Sequence, residues 1–322
     1  MDFDKKFDRR EPTTDFSQAK LQRLLCRSGY EPAGCIKKLS GGYSNLNYIF
    51  ESKGTKWILR LSGKSVREFL GELSVLEQVE TILPVPRVLQ FETDAPEVNR
   101  HIAIMSFVEG VPLSQTEDDL PAAAIESIAR SLGYWMAKMH QISFHTSGFF
   151  GSGGEIVETF TPFQEKTYHY YQHLLSEPLL AKRLGSEMLE KLTRYIAINR
   201  SLLESLPAVM NLTHSDFNQK NLLVENKSGH WQIAAILDWE FAFSGSPMID
   251  FGNFFRYDTE LSPHYEQPLV EAYLANGGVL DHNWKAQGKY LDLLSMMQFL
   301  TREGDYPRTF ATARKVIENI VG

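Results

Sequence analysis

Cysteine is nearly missing from this chain of 322 residues, which holds two, Cys26 and Cys35. Two are too few for a disulfide framework or a four-ligand metal site, and they fit a reducing, cytoplasmic setting. No apolar run is long enough to cross a bilayer. The opening residues, MDFDKKFDRREP, are charged and contain no apolar signal-peptide core. Basic residues are not in excess: Lys and Arg number 33 against 40 Asp and Glu, a net charge of −7. That balance argues against nucleic acid as a partner, because a surface that tracks phosphates needs a basic face. Internal repeats and low-complexity segments are also missing. Ser62-Gly63-Lys64-Ser65 resembles the end of a Walker A loop, but the required earlier glycine would fall at Ile58. His169 and His173 are spaced i, i+4 without the E-x-x-H context of a metalloenzyme helix, so a plain helix surface is expected there. The remaining composition, 43% hydrophobic and 23% charged, is ordinary for a globular protein large enough to build two lobes.

The densest chemistry lies between Met210 and Glu240, MNLTHSDFNQKNLLVENKSGHWQIAAILDWE. An apolar run ends at Thr213 and is followed by a polar loop carrying His214, Asp216, Asn218, Lys220 and Asn221. Leu222–Val224 and Trp231–Leu237 read as two strands around the turn Asn226-Lys227-Ser228-Gly229. Such a hairpin brings Asn221, at the start of one strand, close to Asp238, at the end of the other. An amide oxygen and a carboxylate are hard donors of the kind that hold Mg²⁺, which keeps further positions for water and phosphate. Asp216, just upstream, is free to orient a hydroxyl and accept its proton. Together these groups suit phosphoryl transfer. Asp250-Phe251-Gly252 lies too far past the hairpin to be the metal turn; Asp250 is expected to hydrogen-bond loop backbone instead.

HSDFNQKN followed by DWE resembles the catalytic and metal loops of the aminoglycoside phosphotransferase and choline kinase-like family more than those of protein kinases, which show HRD and DFG. That resemblance implies an α+β fold of two lobes, protein-kinase-like. A small antiparallel sheet lobe, residues 1–108, would bind nucleotide, and a mainly helical lobe, residues 109–322, would carry catalysis and the acceptor. It implies Asp216 as the catalytic residue, Asn221 and Asp238 as the Mg²⁺ ligands, and ATP or GTP as the donor. The loop Ser40–Asn45 then takes the place of the nucleotide-capping loop, with Gly41, Gly42 and Ser44 as its contacts, although it is not G-x-G-x-x-G. Arg60, alternating away from Leu59 and Leu61 on a strand, stands where the kinase pattern has a phosphate-gripping lysine. Glu72, on the helix that begins at Val66, would pair with it, with Glu68 as the alternative. The strand HIAIMSF, 101–107, leads to a hinge at which Met105 would line the base pocket and Ser106 and Val108 would offer backbone groups.

Elsewhere the pattern predicts a helix capped by Asp15 with Leu21, Leu24 and Leu25 on one face, and a core helix over 122–142 ending near a structural His140. A glycine-rich loop is expected over Phe149–Thr161, two helices over 163–205, and three helices in the tail. Asp258 and Glu260, with Glu240 nearby in sequence, would either receive a cationic acceptor or form a solvated face. The expected activity is O-phosphorylation of a small polar acceptor such as an aminoglycoside, amino alcohol or sugar. The rival readings are a protein kinase, a non-catalytic nucleotide-binding regulator, and a metal-dependent hydrolase, the last short of the further histidines such sites need.

Overall fold

The computed structural model describes residues 6–8, 16–39, 45–208 and 210–322. Helix α1 (Gln18–Arg27) is capped by the Ser17 side chain, which accepts from Lys20 N–H, and it buries Leu21, Leu24 and Leu25. Asp15, the expected cap, lies outside the described residues, as does the loop 40–44 with Gly41, Gly42 and Ser44. The first sheet is antiparallel and five-stranded, ordered β1 (Pro32–Lys38), β2 (Asn45–Ser52), β3 (Thr55–Ser62), β5 (Arg100–Ser106) and β4 (Val88–Ala95). Alternation gives it two faces. Leu46, Tyr48, Leu59, Leu61, Ile102 and Ile104 form one small core with α1. The other face presents Arg60 in a cross-strand row with Asn47 and Ala103.

Against that second face runs α2 (Val66–Val79), started by a reciprocal cap: Ser65 accepts from Glu68 N–H and the Glu68 side chain accepts from Ser65 N–H. Its buried Phe69, Leu73 and Leu76 join Ala103 and Met105 in the main core, which continues into the helical lobe.

That lobe begins with a short strand, β6 (Val111–Pro112), and the long helix α3 (Ala122–His140). Two short strands, β7 (Ser143–Phe144) and β8 (Gly148–Phe150), precede β9 (Ile156–Thr159). The span expected to be a loop is therefore partly a hairpin, β8–β9, with a register shift at Phe149/Phe150. Residues 163–205 form four helical pieces rather than two: α4 (Phe163–Ser176), α5 (Pro178–Leu184), α6 (Ser186–Ile198) and a single turn at Arg200–Glu204. Pro178 opens the second, and Gly185, at φ +80°, separates it from the third. Next come β10 (Met210–Thr213), β11 (Leu222–Lys227), β12 (His230–Ile236), β13 (Phe243–Gly245) and the helices α7 (Met248–Phe254), α8 (Glu266–Ala275), α9 (Trp284–Thr301) and α10 (Pro307–Val321). Two further sheets result, β12–β11–β6 and β7–β10–β13–β8–β9. The fold is α+β and two-lobed, a small antiparallel sheet over a mainly helical lobe.

Candidate active site

The loop 214–221 is built by hydrogen bonds to buried groups. Asp250, on α7 and fully buried, accepts from His214 N–H at 2.9 Å and Ser215 N–H at 2.8 Å. The second of these holds Ser215 at φ +66°. His140 Nε2 sits 3.1 Å from the same carboxylate, and its Nδ1 lies 3.0 Å from the Tyr273 hydroxyl. His214 ties the loop to the strand before the Asp238 turn: Nε2 donates to Leu237 O at 2.8 Å and Nδ1 accepts from Asp216 N–H at 3.2 Å. Asp250→Ala would strand three buried donors, each worth about 1–3 kcal/mol. It should therefore lower folding stability by about 3 kcal/mol or more, read as a fall in the denaturant midpoint. Asp250→Asn, which keeps one acceptor, should lose less.

Both oxygens of Asp216 are held by amide nitrogens, Asn218 Nδ2 on Oδ1 and Asn221 Nδ2 on Oδ2, each at 2.8 Å. Burial lifts its carboxyl to about 6, with the Asp238 charge adding to the rise. His214, Arg256 and the hydrogen bond from Asn221 oppose the rise. Arg256 is itself fixed by Asp292 at 2.6 Å. In the role the sequence leads one to expect, Asp216 must be ionised to take a proton, so kcat/KM for the nucleotide should fall as pH drops below about 6. A bound dication favours the carboxylate, so the limb in kcat should lie at lower pH. Paired pH–rate profiles check both.

Asn221 directs its amide nitrogen to Asp216 O and Oδ2, which leaves its amide oxygen for another partner. Its backbone carbonyl accepts from Leu237 N–H at 2.8 Å, so it lies across the hairpin from the turn that carries Asp238 at φ +65°. Among the described residues no group of three or more His, Cys, Asp or Glu side chains is placed to hold a metal. Two protein oxygens alone suit a Mg²⁺ that completes its shell with phosphate and water.

Arg60 lies opposite this turn, nearly buried, with Nε on Asn47 Oδ1 at 3.2 Å and Nη1 on Glu72 Oε1. Glu68, the alternative partner, is occupied as the cap of α2. Burial acts to lower the Arg60 pKa, but Glu72, Asp238 and Glu240 outweigh it and hold the group above its ordinary value. Two contacts that the sequence did not suggest cross between the lobes here. Lys64 Nζ sits 2.6 Å from Glu240 Oε2, and Asn45 Nδ2 donates to the same oxygen at 3.1 Å. Met105 is buried on β5 opposite Ile58. Ser106 uses both its N–H and its hydroxyl on Arg87, at 2.9 and 2.8 Å, which leaves its carbonyl as the group it can offer. Val108 follows in the connector and is partly buried. The acidic residues considered for a cationic acceptor are each engaged by lysine: Glu260 by Lys6 at 2.6 Å, Asp258 by Lys289 at 2.7 Å, and Glu240 by Lys64. His169 and His173 lie on an exposed helix face, with His173 3.6 Å from Glu177.

Residues 36–282 match the model of the phosphotransferase enzyme family. The chain belongs to that family. It is a small-molecule kinase that uses an alcohol group as acceptor. Among solved structures, this phosphotransferase is similar to aminoglycoside phosphotransferase APH(4)-Ia, with a TM-score of 0.64 and 18% identity over 95% of this chain and 98% of that one. A thermostable mutant of APH(4)-Ia in a ternary complex with AMP-PNP and hygromycin B gives 0.62 and 19% over 94% and 98%. Macrolide 2'-phosphotransferase MphH from Brachybacterium faecium gives 0.63 and 17% over 88% and 91%. At these identities the likeness establishes the protein-kinase-like fold of the phosphotransferase. No curated protein sequence matches it.

Proposed function

We propose that this phosphotransferase moves the γ-phosphoryl group of ATP or GTP to a hydroxyl of a small polar acceptor of the antibiotic, amino alcohol or sugar type, with Mg²⁺ and in the cytoplasm. The division of labour follows the lobes, residues 1–108 for the nucleotide and 109–322 for catalysis and acceptor. Asp216 carries the reading. Its carboxylate is fixed on both oxygens, lifted to about 6, and set beside a second carboxylate, Asp238, that serves a different purpose. Asp216 orients the acceptor hydroxyl and takes its proton as the acceptor oxygen bonds to phosphorus. The bond from phosphorus to the β-phosphate oxygen breaks, and the nucleoside diphosphate leaves with that electron pair. Asn221 and Asp238 would hold Mg²⁺, which neutralises charge on the phosphates. Arg60, braced by Glu72, holds nucleotide phosphates as a fork, and Gly41, Gly42 and Ser44 are the further nucleotide contacts. Met105 lines the base pocket, with the Ser106 carbonyl and the Val108 N–H at the base edge. Glu72, Asp238 and Glu240 outnumber Arg60 and Lys64 in this region, a balance that favours a cation arriving with the nucleotide. Most of the rate then comes from positioning and preorganised charge.

APH(4)-Ia and MphH are named for aminoglycoside and macrolide acceptors, so both compound classes head the panel to test. A coupled assay of ADP and GDP release, run over aminoglycosides, macrolides, amino alcohols and sugars, should give release that depends on one acceptor class and stops when Mg²⁺ is chelated. Release that ignores every acceptor, or that persists without divalent cation, contradicts the reading.

A further inference from the structure

Helix α2 carries Glu72, and a separate stripe of the same helix is occupied by the β8–β9 hairpin. Arg67, Gly71, Ser74 and Gln78 are spaced by four, three and four residues, so they share one helix face. Each meets the hairpin. Arg67 pairs with Glu158 at 2.9 Å in the open, which contributes little. The Ser74 hydroxyl lies 2.8 Å from Gly151 O. A Cβ on Gly154, itself at φ +78°, would fall 1.9 Å from Gln78 Nε2. Gly71 is the most telling of the four. Glycine in mid-helix costs about 1 kcal/mol relative to alanine. Here a Cβ would sit 2.6 Å from the backbone oxygen of Phe150, so only glycine lets the hairpin come this close.

The hairpin is not a free flap. It extends the sheet β7–β10–β13–β8–β9, in which β10 leads into the catalytic loop and β13 follows the Asp238 turn. Glu72, next to Gly71, reaches Arg60 through Oε1 while its Oε2 is buried without a hydrogen-bond partner among the described residues.

We infer that the β8–β9 hairpin is a strap that positions α2, and that Gly71 and Ser74 are positioning residues that keep Glu72 on Arg60 and so set the grip on the nucleotide. The inference rests on the reading of Arg60 as the phosphate-holding residue. The catalytic loop, the metal turn and the Arg60–Glu72 pair are then all referenced to one sheet.

The test is calorimetric binding of the imido analogues of ATP and GTP with Mg²⁺ to the full chain. Wild type, Gly71→Ala, Ser74→Ala, Arg60→Ala and the Gly71→Ala/Arg60→Ala double variant are compared, with melting curves beside them. Gly71→Ala should weaken binding about tenfold and Ser74→Ala about threefold, within the range that residues acting at a distance produce. In the Arg60→Ala background, Gly71→Ala should add less than about twofold, because it acts through the pair already removed. Wild-type affinity in Gly71→Ala and Ser74→Ala, or equal weakening by Gly71→Ala in both backgrounds, overturns the strap. If Gly71→Ala does not fold, Ser74→Ala decides alone. Should Arg60→Ala bind as tightly as wild type, the phosphate-holding reading falls, an outcome distinct from failure of the strap.

Discussion

Asp216→Asn is expected to lower kcat by about 10²–10⁴-fold while nucleotide affinity stays within about threefold. The substitution keeps the shape of the side chain and removes the group proposed to take the acceptor proton. The loop should hold its conformation, because Asp250 fixes the His214 and Ser215 amides from below. One of the two amide donors, Asn218 or Asn221, loses its partner oxygen. Against that, the raised carboxyl pKa means the ionised form costs stability at pH 7, with burial and Asp238 as the causes. A neutral residue relieves that cost, so the melting temperature should not fall with the activity. Steady-state kinetics with nucleotide and acceptor varied separately make the check. A loss confined to KM, or a loss matched by unfolding, would remove Asp216 from the chemistry.

Glu72→Ala should act on a different property. Arg60 is nearly buried, and of its two described partners only the neutral Asn47 would remain. Removing one member of a buried ion pair costs about 3–5 kcal/mol, because the charge left behind stays desolvated. The fork would also lose its brace, so affinity for the Mg²⁺–nucleotide should fall together with stability. Glu68→Ala separates the two candidates that the sequence offered. It removes a cap contact at the start of α2, worth about 1 kcal/mol, and should leave nucleotide affinity unchanged. Denaturant titrations and calorimetry on both variants provide the measurement. Equal affinity in Glu72→Ala and wild type would contradict the role given to the pair.

What could be read beforehand was local in sequence. His214, Asp216 and Asn221 sit within one loop, and a hairpin turn carries the chain back to Asp238, so side-chain spacing and strand pairing alone gather them. The alternation in β3 set Arg60 apart from Leu59 and Leu61, and the leucine stripe of α1 and the tail helices followed ordinary periodicity. What escaped depends on how distant segments meet. Lys64 and Glu240 are joined only when one lobe closes on the other, and nothing in SGKS or DWE announces the partner. Arg256 is a single cation in the aromatic run Phe254–Tyr257, and its place near the catalytic loop comes from burial beside Asp292. The β8–β9 hairpin was hidden by glycines at 151, 153 and 154 that read as loop. Of these, Gly154 allows close contact with α2, at Gln78. The acidic residues Asp258 and Glu260 gave a charge pattern in sequence, but their lysine partners lie far along the chain.

Transfer of labelled γ-phosphate from nucleotide to acceptor, followed by separation of the product, tests the central claim most directly. Label is expected on a hydroxyl of one small-molecule acceptor with the wild-type protein and Mg²⁺, and near background with Asp216→Asn at the same nucleotide occupancy. Equal transfer by the variant, or label appearing only as inorganic phosphate whatever acceptor is present, would contradict it.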